Sequence, residues 1–217
     1  MGGGGRGNSG DTAPSNNPTA KSLSRPMTPT AQPNADGFIQ RWLILEPMSG
    51  GAGTQNAFLE TARKEYFPNQ MTAIPKDGDK VTVNGTELTW HAVDTKNFNV
   101  NLVHFANDLG ISSASALFWV VTVVNCPEET RDVRLAIGSN DSSIWWVNGQ
   151  EAIGLFGDRQ SVIDDAASKR LTLKKGSNDI RIAMHNGMGQ TDFCARFLDE
   201  AGNPIKNFTV SLSEDGK

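Results

Sequence analysis

Between Arg131 and Gly138 apolar and polar positions change places at every step, with Val133, Leu135 and Ile137 on one side. A period of two is the pattern of a half-buried strand. The same rhythm returns in Arg170 to Leu173, Asp179 to Met184 and Asp192 to Leu198, and a last short strand is predicted near Phe208 to Leu212. Two pairs of runs flank an Asn-Gly dipeptide: Asp79–Val83 and Glu87–Val93 around Asn84-Gly85, and Ser143–Val147 and Glu151–Leu155 around Asn148-Gly149. Asn-Gly suits the positive φ angles of a type I′ turn, so both predict hairpins. Phe38 to Leu45 is a strongly apolar strand ended by Glu46-Pro47. Ala116 to Val124 is apolar on both sides and predicts a central strand. Asn99 to Phe105 reads as a strand with Val100, Leu102 and His104 on one side. Only Asn56 to Tyr66, with Phe58, Leu59, Ala62 and Tyr66 near one face and Pro68 closing it, predicts a helix. About ten short strands and one short helix make an all-β chain, a jelly-roll β-sandwich.

Composition changes that picture at one end. Residues 1–36 hold Gly2 to Gly5, five prolines and few apolar side chains. Such a segment buries too little surface to offset its ordering entropy, so it reads as a disordered tail or linker ahead of one domain over 37–217. The net charge is −4 and no run of Lys or Arg exceeds two residues, which argues against a nucleic-acid partner. No apolar stretch approaches the ~20 residues of a membrane helix. Met1 is followed by glycines rather than an apolar signal region; that leaves a cytosolic protein or a secreted or cell-surface one whose export signal was removed, and the Gly/Ser/Asn/Pro-rich tail ahead of a β-sandwich favours the second expectation. Cys126 and Cys194 read as small buried apolar residues, with their pairing left open.

Signatures of catalysis are missing. There is no Gly-x-Ser-x-Gly elbow and no phosphate-cradling Gly-x-x-x-x-Gly-Lys-Ser/Thr, and Gly50-Gly51-Ala52-Gly53 is only a flexible loop. His91, His104 and His185 lack metal-ligand spacing. Adjacent acids on an extended chain point opposite ways, so Glu128-Glu129 and Asp164-Asp165 read as solvated turns. Asp164-Asp165 is also the candidate for a structural Ca²⁺ site, since that ion prefers carboxylate oxygen.

Tryptophans carry the more informative chemistry. Trp42, Trp90 and Trp119 fall within apolar strands and are expected in the core. Trp145 and Trp146 are adjacent, so their rings face opposite sides; the register places Trp145 and Val147 inward, Ile144 and Trp146 outward. An exposed indole covers the C–H face of a sugar ring, while amides, carboxylates and guanidinium groups bind its hydroxyls. Trp146 is therefore the candidate platform, unless a loop such as Phe156 to Ile163 covers it. Asn140, Asp141, Arg159, Asn186 and Gln190 are the candidate polar contacts, with Asp158 and Asp192 nearby, all at one end of the expected sandwich.

Gly138-Ser139-Asn140-Asp141-Ser142-Ser143-Ile144-Trp145-Trp146-Val147-Asn148-Gly149 resembles the signature of galactose-binding-like β-sandwich modules. Leu173-Lys174-Lys175-Gly176-Ser177-Asn178 is similar to a turn of that family, with Ser177 in place of its usual Trp. Phe193, Arg196, Asp199 and Gly202 resemble its last core strand. The opening, Asp36 to Pro47, looks more narrowly like the non-catalytic modules of secreted bacterial xylan-degrading esterases. The resemblance implies a non-catalytic carbohydrate-binding module that docks an associated esterase or glycoside hydrolase on plant cell-wall polysaccharide, xylan first, with no membrane partner. A structural Ca²⁺ is a family expectation as well. Two rivals stand beside it: an accessory domain that packs on a catalytic domain without binding sugar, and a hydrolase whose carboxylates converge only in the fold.

Overall fold

A computed structural model describes residues 22–50 and 54–213. Its strands are β1 (Leu23–Ser24), β2 (Thr30–Ala31), β3 (Arg41–Leu45), β4 (Met48–Ser49), β5 (Lys80–Val83), β6 (Thr86–Thr95), β7 (Val100–Asn101), β8 (Ala116–Cys126), β9 (Thr130–Ser139), β10 (Ser143–Val147), β11 (Gln150–Leu155), β12 (Ala166–Ala167), β13 (Leu171–Leu173), β14 (Gly176–Asn186), β15 (Asp192–Leu198) and β16 (Thr209–Ser211). The helices are α1 (Gln55–Arg63) and α2 (Leu102–Asp108). The large sheet runs β1-β6-β3-β8-β14-β10-β11, and the small one runs β12-β9-β15-β7 with β13 on β9. The expected all-β architecture of two sheets is what forms.

The strand predicted to be central is central. Along one edge β8 pairs with β14 over its whole length, Ala116↔Asn186 to Cys126↔Gly176. Its other edge is shared in turn by β4, β3 and β16. Both Asn-Gly turns adopt positive φ at both residues: 49° and 81° at Asn84-Gly85, 51° and 74° at Asn148-Gly149. That is the backbone twist a two-residue hairpin needs.

The large sheet is covered on both faces, so the molecule has three layers. Phe118, Val120, Ile180, Ile182, Trp42 and Trp145 point into the core against Val133, Leu135, Ile137, Phe193 and Phe197 of the small sheet. There Trp42 meets Phe193 and Trp145 edge-on, with ring centroids 5.1 and 6.3 Å apart. Leu43, Leu117, Trp119, Val121, Ile144 and Trp146 point the other way, onto Phe58 and Ala62 of α1 and Phe67 of the segment after it. Buried Arg181 anchors that segment: its Nη1 donates to the Gln70 and Ala73 carbonyls at 3.1 and 2.8 Å while its Nε meets Asp179.

Two expectations are corrected. Asn99–Phe105 is not a strand throughout: pairing stops at Asn101, whose side chain accepts the His104 N–H at 2.8 Å and caps α2. Leu102, Phe105 and Ala106 are the buried residues of α2, a spacing of three and four that competes with the period of two over so short a window. The boundary near residue 36 also moves. Leu23 joins the core, β1 pairs with β6 and β2 with β16. Arg41, 2 % exposed, makes a two-pronged pair with Asp94 and donates to the Thr28 carbonyl at 2.6 Å. A buried guanidinium must find partners, and residues 22–31 supply some of them. The rest of the expected tail, residues 1–21, lies outside the described residues, as does Gly51-Ala52-Gly53.

Candidate functional site

Three loops meet where the β-strands end beside the N-terminal end of α1. Residues 140–142 join β9 to β10, residues 156–165 follow β11, and residues 187–191 join β14 to β15. The first loop stitches the other two together. Asp141 sits at φ 64°, a left-handed conformation Asp tolerates, and its Oδ2 accepts the Gly187 N–H at 2.8 Å. The Ser142 hydroxyl accepts the Gly157 N–H at 3.0 Å, and the Ser142 carbonyl accepts the His185 N–H at 2.9 Å. Beneath them the Ser143 hydroxyl meets that of Ser139 and accepts the Trp145 indole N–H, both at 2.9 Å.

Glycine at 138 holds the long loop against the small sheet. A Cβ there would lie 2.0 Å from the Val162 carbonyl oxygen, so only glycine permits this approach. Asp164 pairs with Arg196 and Asp165 with Arg159. These contacts fix residues 157–160 along one wall.

The result is a cleft of about 570 Å³ whose polar lining includes Asn140, Asp141, Asp158, Arg159, His185 and Gln190. Four of the six side chains singled out from sequence, Asn140, Asp141, Arg159 and Gln190, thus come together. Trp146 does not join them. Its ring is 6 % exposed and stacks on Trp119 at 5.6 Å and 18°, under the α1 layer. The inward–outward alternation of Trp145 and Trp146 is as expected, but "outward" leads into a second core, so Trp146 is no open platform. What covers it is α1, the segment after it and Phe156, rather than the Phe156–Ile163 loop alone. Asn186, 1 % exposed, spends its amide on the Ser113 carbonyl at 2.6 Å and the Thr191 hydroxyl at 2.6 Å. Asp192 is likewise engaged, by the Asn99 amide, and burial raises its pKa.

His185 is the residue that sequence reading missed. Burial lowers its pKa below 6.5, with the nearby Asp141 carboxylate opposing that shift. The signal was present: Ile180, Ile182 and Met184 face the core, so the odd positions of β14 lead to the opposite face and to the loop end. Gln55, brought by α1 from far along the chain, carried no such signal.

The residues offered for metal do not fit one. Asp164 and Asp165 each face a guanidinium, which leaves no bare carboxylate pair for Ca²⁺. The histidines stand apart: His91 beside Glu46, His104 beside Ser22, His185 in the cleft. Among the described residues no cluster of three or more His, Cys, Asp or Glu is arranged to hold a metal. Both cysteines are buried free thiols, and burial pushes Cys194 up to about 12, so it is an unreactive core residue. No helix among the described residues is long and apolar enough to cross a membrane.

No protein-family model matches the chain, and no curated protein matches it. Solved structures of similar shape include the PA14 domain of the MpAFP antifreeze protein (11 % identity, 78 % of this chain and 89 % of that one, TM-score 0.47). The PA14 sugar-binding domain from an RTX adhesin is another (13 % identity, 78 % and 96 %, TM-score 0.43). A third is the Epithelial Adhesin 9 A domain from Candida glabrata in complex with Galβ1-3GlcNAc (12 % identity, 89 % and 98 %, TM-score 0.40).

Proposed function

We propose that this chain is a non-catalytic sugar-binding module whose site is the three-loop cleft. The observation that supports it is the convergence of amide, carboxylate, guanidinium and imidazole groups from separate loops on one cleft of about 570 Å³. These are groups that bind hydroxyls, and the volume suits a small ligand. With Trp146 covered, binding rests on hydrogen bonds rather than ring stacking. That favours one sugar unit or a chain end over a flat polymer face.

The finer reading is that the module holds an associated esterase or glycoside hydrolase on plant cell-wall polysaccharide, outside the cell, with xylan the polymer to test first. Its ground is the sequence resemblance. Tethering raises the local concentration of an enzyme at its substrate without new chemistry.

Affinity electrophoresis on xylan, β-glucan and mannan tests both levels. Retardation by one polymer is expected, weakened roughly tenfold or more in Arg159→Ala, since hydrogen bonds to charged groups contribute about 1.5–3 kcal/mol, and less in Asn140→Ala, whose neutral amide contributes about 0.5–1.5 kcal/mol. Trp146→Phe should leave it unchanged. Retardation by none of the polymers, nor by their oligosaccharides in calorimetry, would remove the sugar-binding reading. Turnover of chromogenic esters or xylo-oligosaccharides abolished by Asp141→Asn would replace it with a hydrolase.

A further inference from the structure

At the other end of β10 lies a second cleft, of about 520 Å³, beside the Asn148-Gly149 turn. The chain contains three adjacent pairs of basic residues: Arg63-Lys64, Lys169-Arg170 and Lys174-Lys175. Lys169-Arg170 and Lys174-Lys175 flank one short strand, and Arg63 of the first pair reaches the same place from far along the chain. Lys169, Arg170 and Lys174 line the cleft, Lys175 follows Lys174, and Arg63 holds Glu151, the one acid in the lining, by a two-pronged pair at 3.0 and 3.1 Å.

The fold builds this arrangement on purpose-made joints. Lys169-Arg170 and Lys174-Lys175 bracket β13, which pairs with β9 and buries Leu173, so its flanking cations stay on the surface. Fully buried Asn178 locks the two walls together. Its Oδ1 accepts the Lys174 N–H at 2.8 Å and the Asn148 amide at 2.9 Å, and its Nδ2 donates to the Lys174 carbonyl at 2.9 Å. The cleft is therefore formed before any ligand arrives.

Its charge is not compensated. Among the described residues Lys169, Lys174 and Lys175 form no ion pair, and Arg170 reaches only Glu200, an exposed acid 3.4 Å away. Glu129 on the neighbouring turn is taken by Arg131; Glu128 and Asp132 pair with none of these cations. A patch of uncompensated cations on a chain of net charge −4 is a local feature that overall composition hides. Gln150 and Thr172, exposed in the same cleft, are free to bind hydroxyls.

We infer that this cleft binds an anionic sugar, one whose carboxylate or sulfate meets Lys169, Arg170 and Lys174 while its hydroxyls meet Gln150 and Thr172. The assignment does not rest on the three-loop cleft. Nucleic acid fits less well, because no aromatic ring lines the cleft to stack a base.

The test uses the full chain in affinity electrophoresis on polygalacturonate, dextran sulfate and neutral dextran, with poly(U) RNA as competitor. Retardation by polygalacturonate or by dextran sulfate, but not by dextran, is expected, and which of the two acts tells carboxylate from sulfate. It should fall with added salt and drop about tenfold or more in Lys169→Gln/Arg170→Gln/Lys174→Gln, from three exposed charge contacts. A control triple change, Lys76→Gln/Lys96→Gln/Lys206→Gln, removes the same charge elsewhere and should leave binding intact. All six positions are exposed, so neither triple should unfold the chain. The inference is overturned by no retardation on either acidic polymer, by equal loss in both triples, by retention that survives the first triple, or by RNA displacing the polysaccharide at equal concentration.

Discussion

The two faces of the large sheet carry the same kind of side chain and answer to different partners. On the inner face Trp42 and Trp145 meet the small sheet, whose strands alternate cleanly and announce their buried side. On the outer face Trp119 and Trp146 meet a helix and an irregular segment that Arg181 holds by two backbone carbonyls. A strand's pleat decides only which face a residue takes. Whether that face meets water depends on what the rest of the chain lays over it. Reading "outward" as "exposed" assumes two layers; this molecule has three.

The comparison breaks most sharply at the adjacent tryptophans. Trp145→Ala and Trp146→Ala should each cost about 3–5 kcal/mol in denaturant unfolding, as buried aromatic truncations do. A cost below about 1 kcal/mol for Trp146→Ala would mean that the outer layer is not part of the cooperative core. Next comes the anchor of that layer. Arg181→Met leaves Asp179 and the Gln70 and Ala73 carbonyls without their cation. A loss of about 3 kcal/mol follows from breaking a buried charged contact. Hydrogen exchange should quicken in residues 64–78 while β9 and β15 stay protected; unchanged exchange there would show the anchor to be idle.

A smaller effect is expected where the loops approach the small sheet. Gly138→Ala forces the Val162 carbonyl away from its present position, costing about 1–3 kcal/mol as overpacking does. Because the same loop carries Asp158 and Arg159, sugar retardation should weaken together with stability. The smallest change concerns pH. The His185 pKa is lowered by burial, so the unfolded chain takes up the proton first as pH falls. Its contribution is complete above about pH 6.5 and is lost as the pH drops below that value. His185→Gln should flatten the decline of Tm between about pH 6.5 and 5; an unaltered slope would assign the decline to the carboxylates.

Much of the site was legible because local chemistry announces loops. Asn140-Asp141 lies after an alternating strand, and Gln190 lies before another, so both had to sit at strand ends. Asn186 was misjudged because nothing local says that Ser113 and Thr191 would consume its amide. Lys169-Arg170 and Lys174-Lys175 look like ordinary turn residues until Asn178 brings their turns beside the Asn148 hairpin.

The sequence by itself determined the all-β class, the hairpins at Asn84-Gly85 and Asn148-Gly149, the central place of β8, and the opposite facing of Trp145 and Trp146. Each follows from period, turn chemistry or side-chain direction, which act over a few residues. Only the tertiary structure decided that residues 22–31 join the sheet, that Trp146 is covered, and that two polar clefts close at opposite ends of β10. Those outcomes depend on contacts between segments far apart along the chain, such as Arg41 with Thr28 and Asp94 or Asp141 with Gly187. No local pattern encodes the partner in such a contact; only packing the layers together selects it.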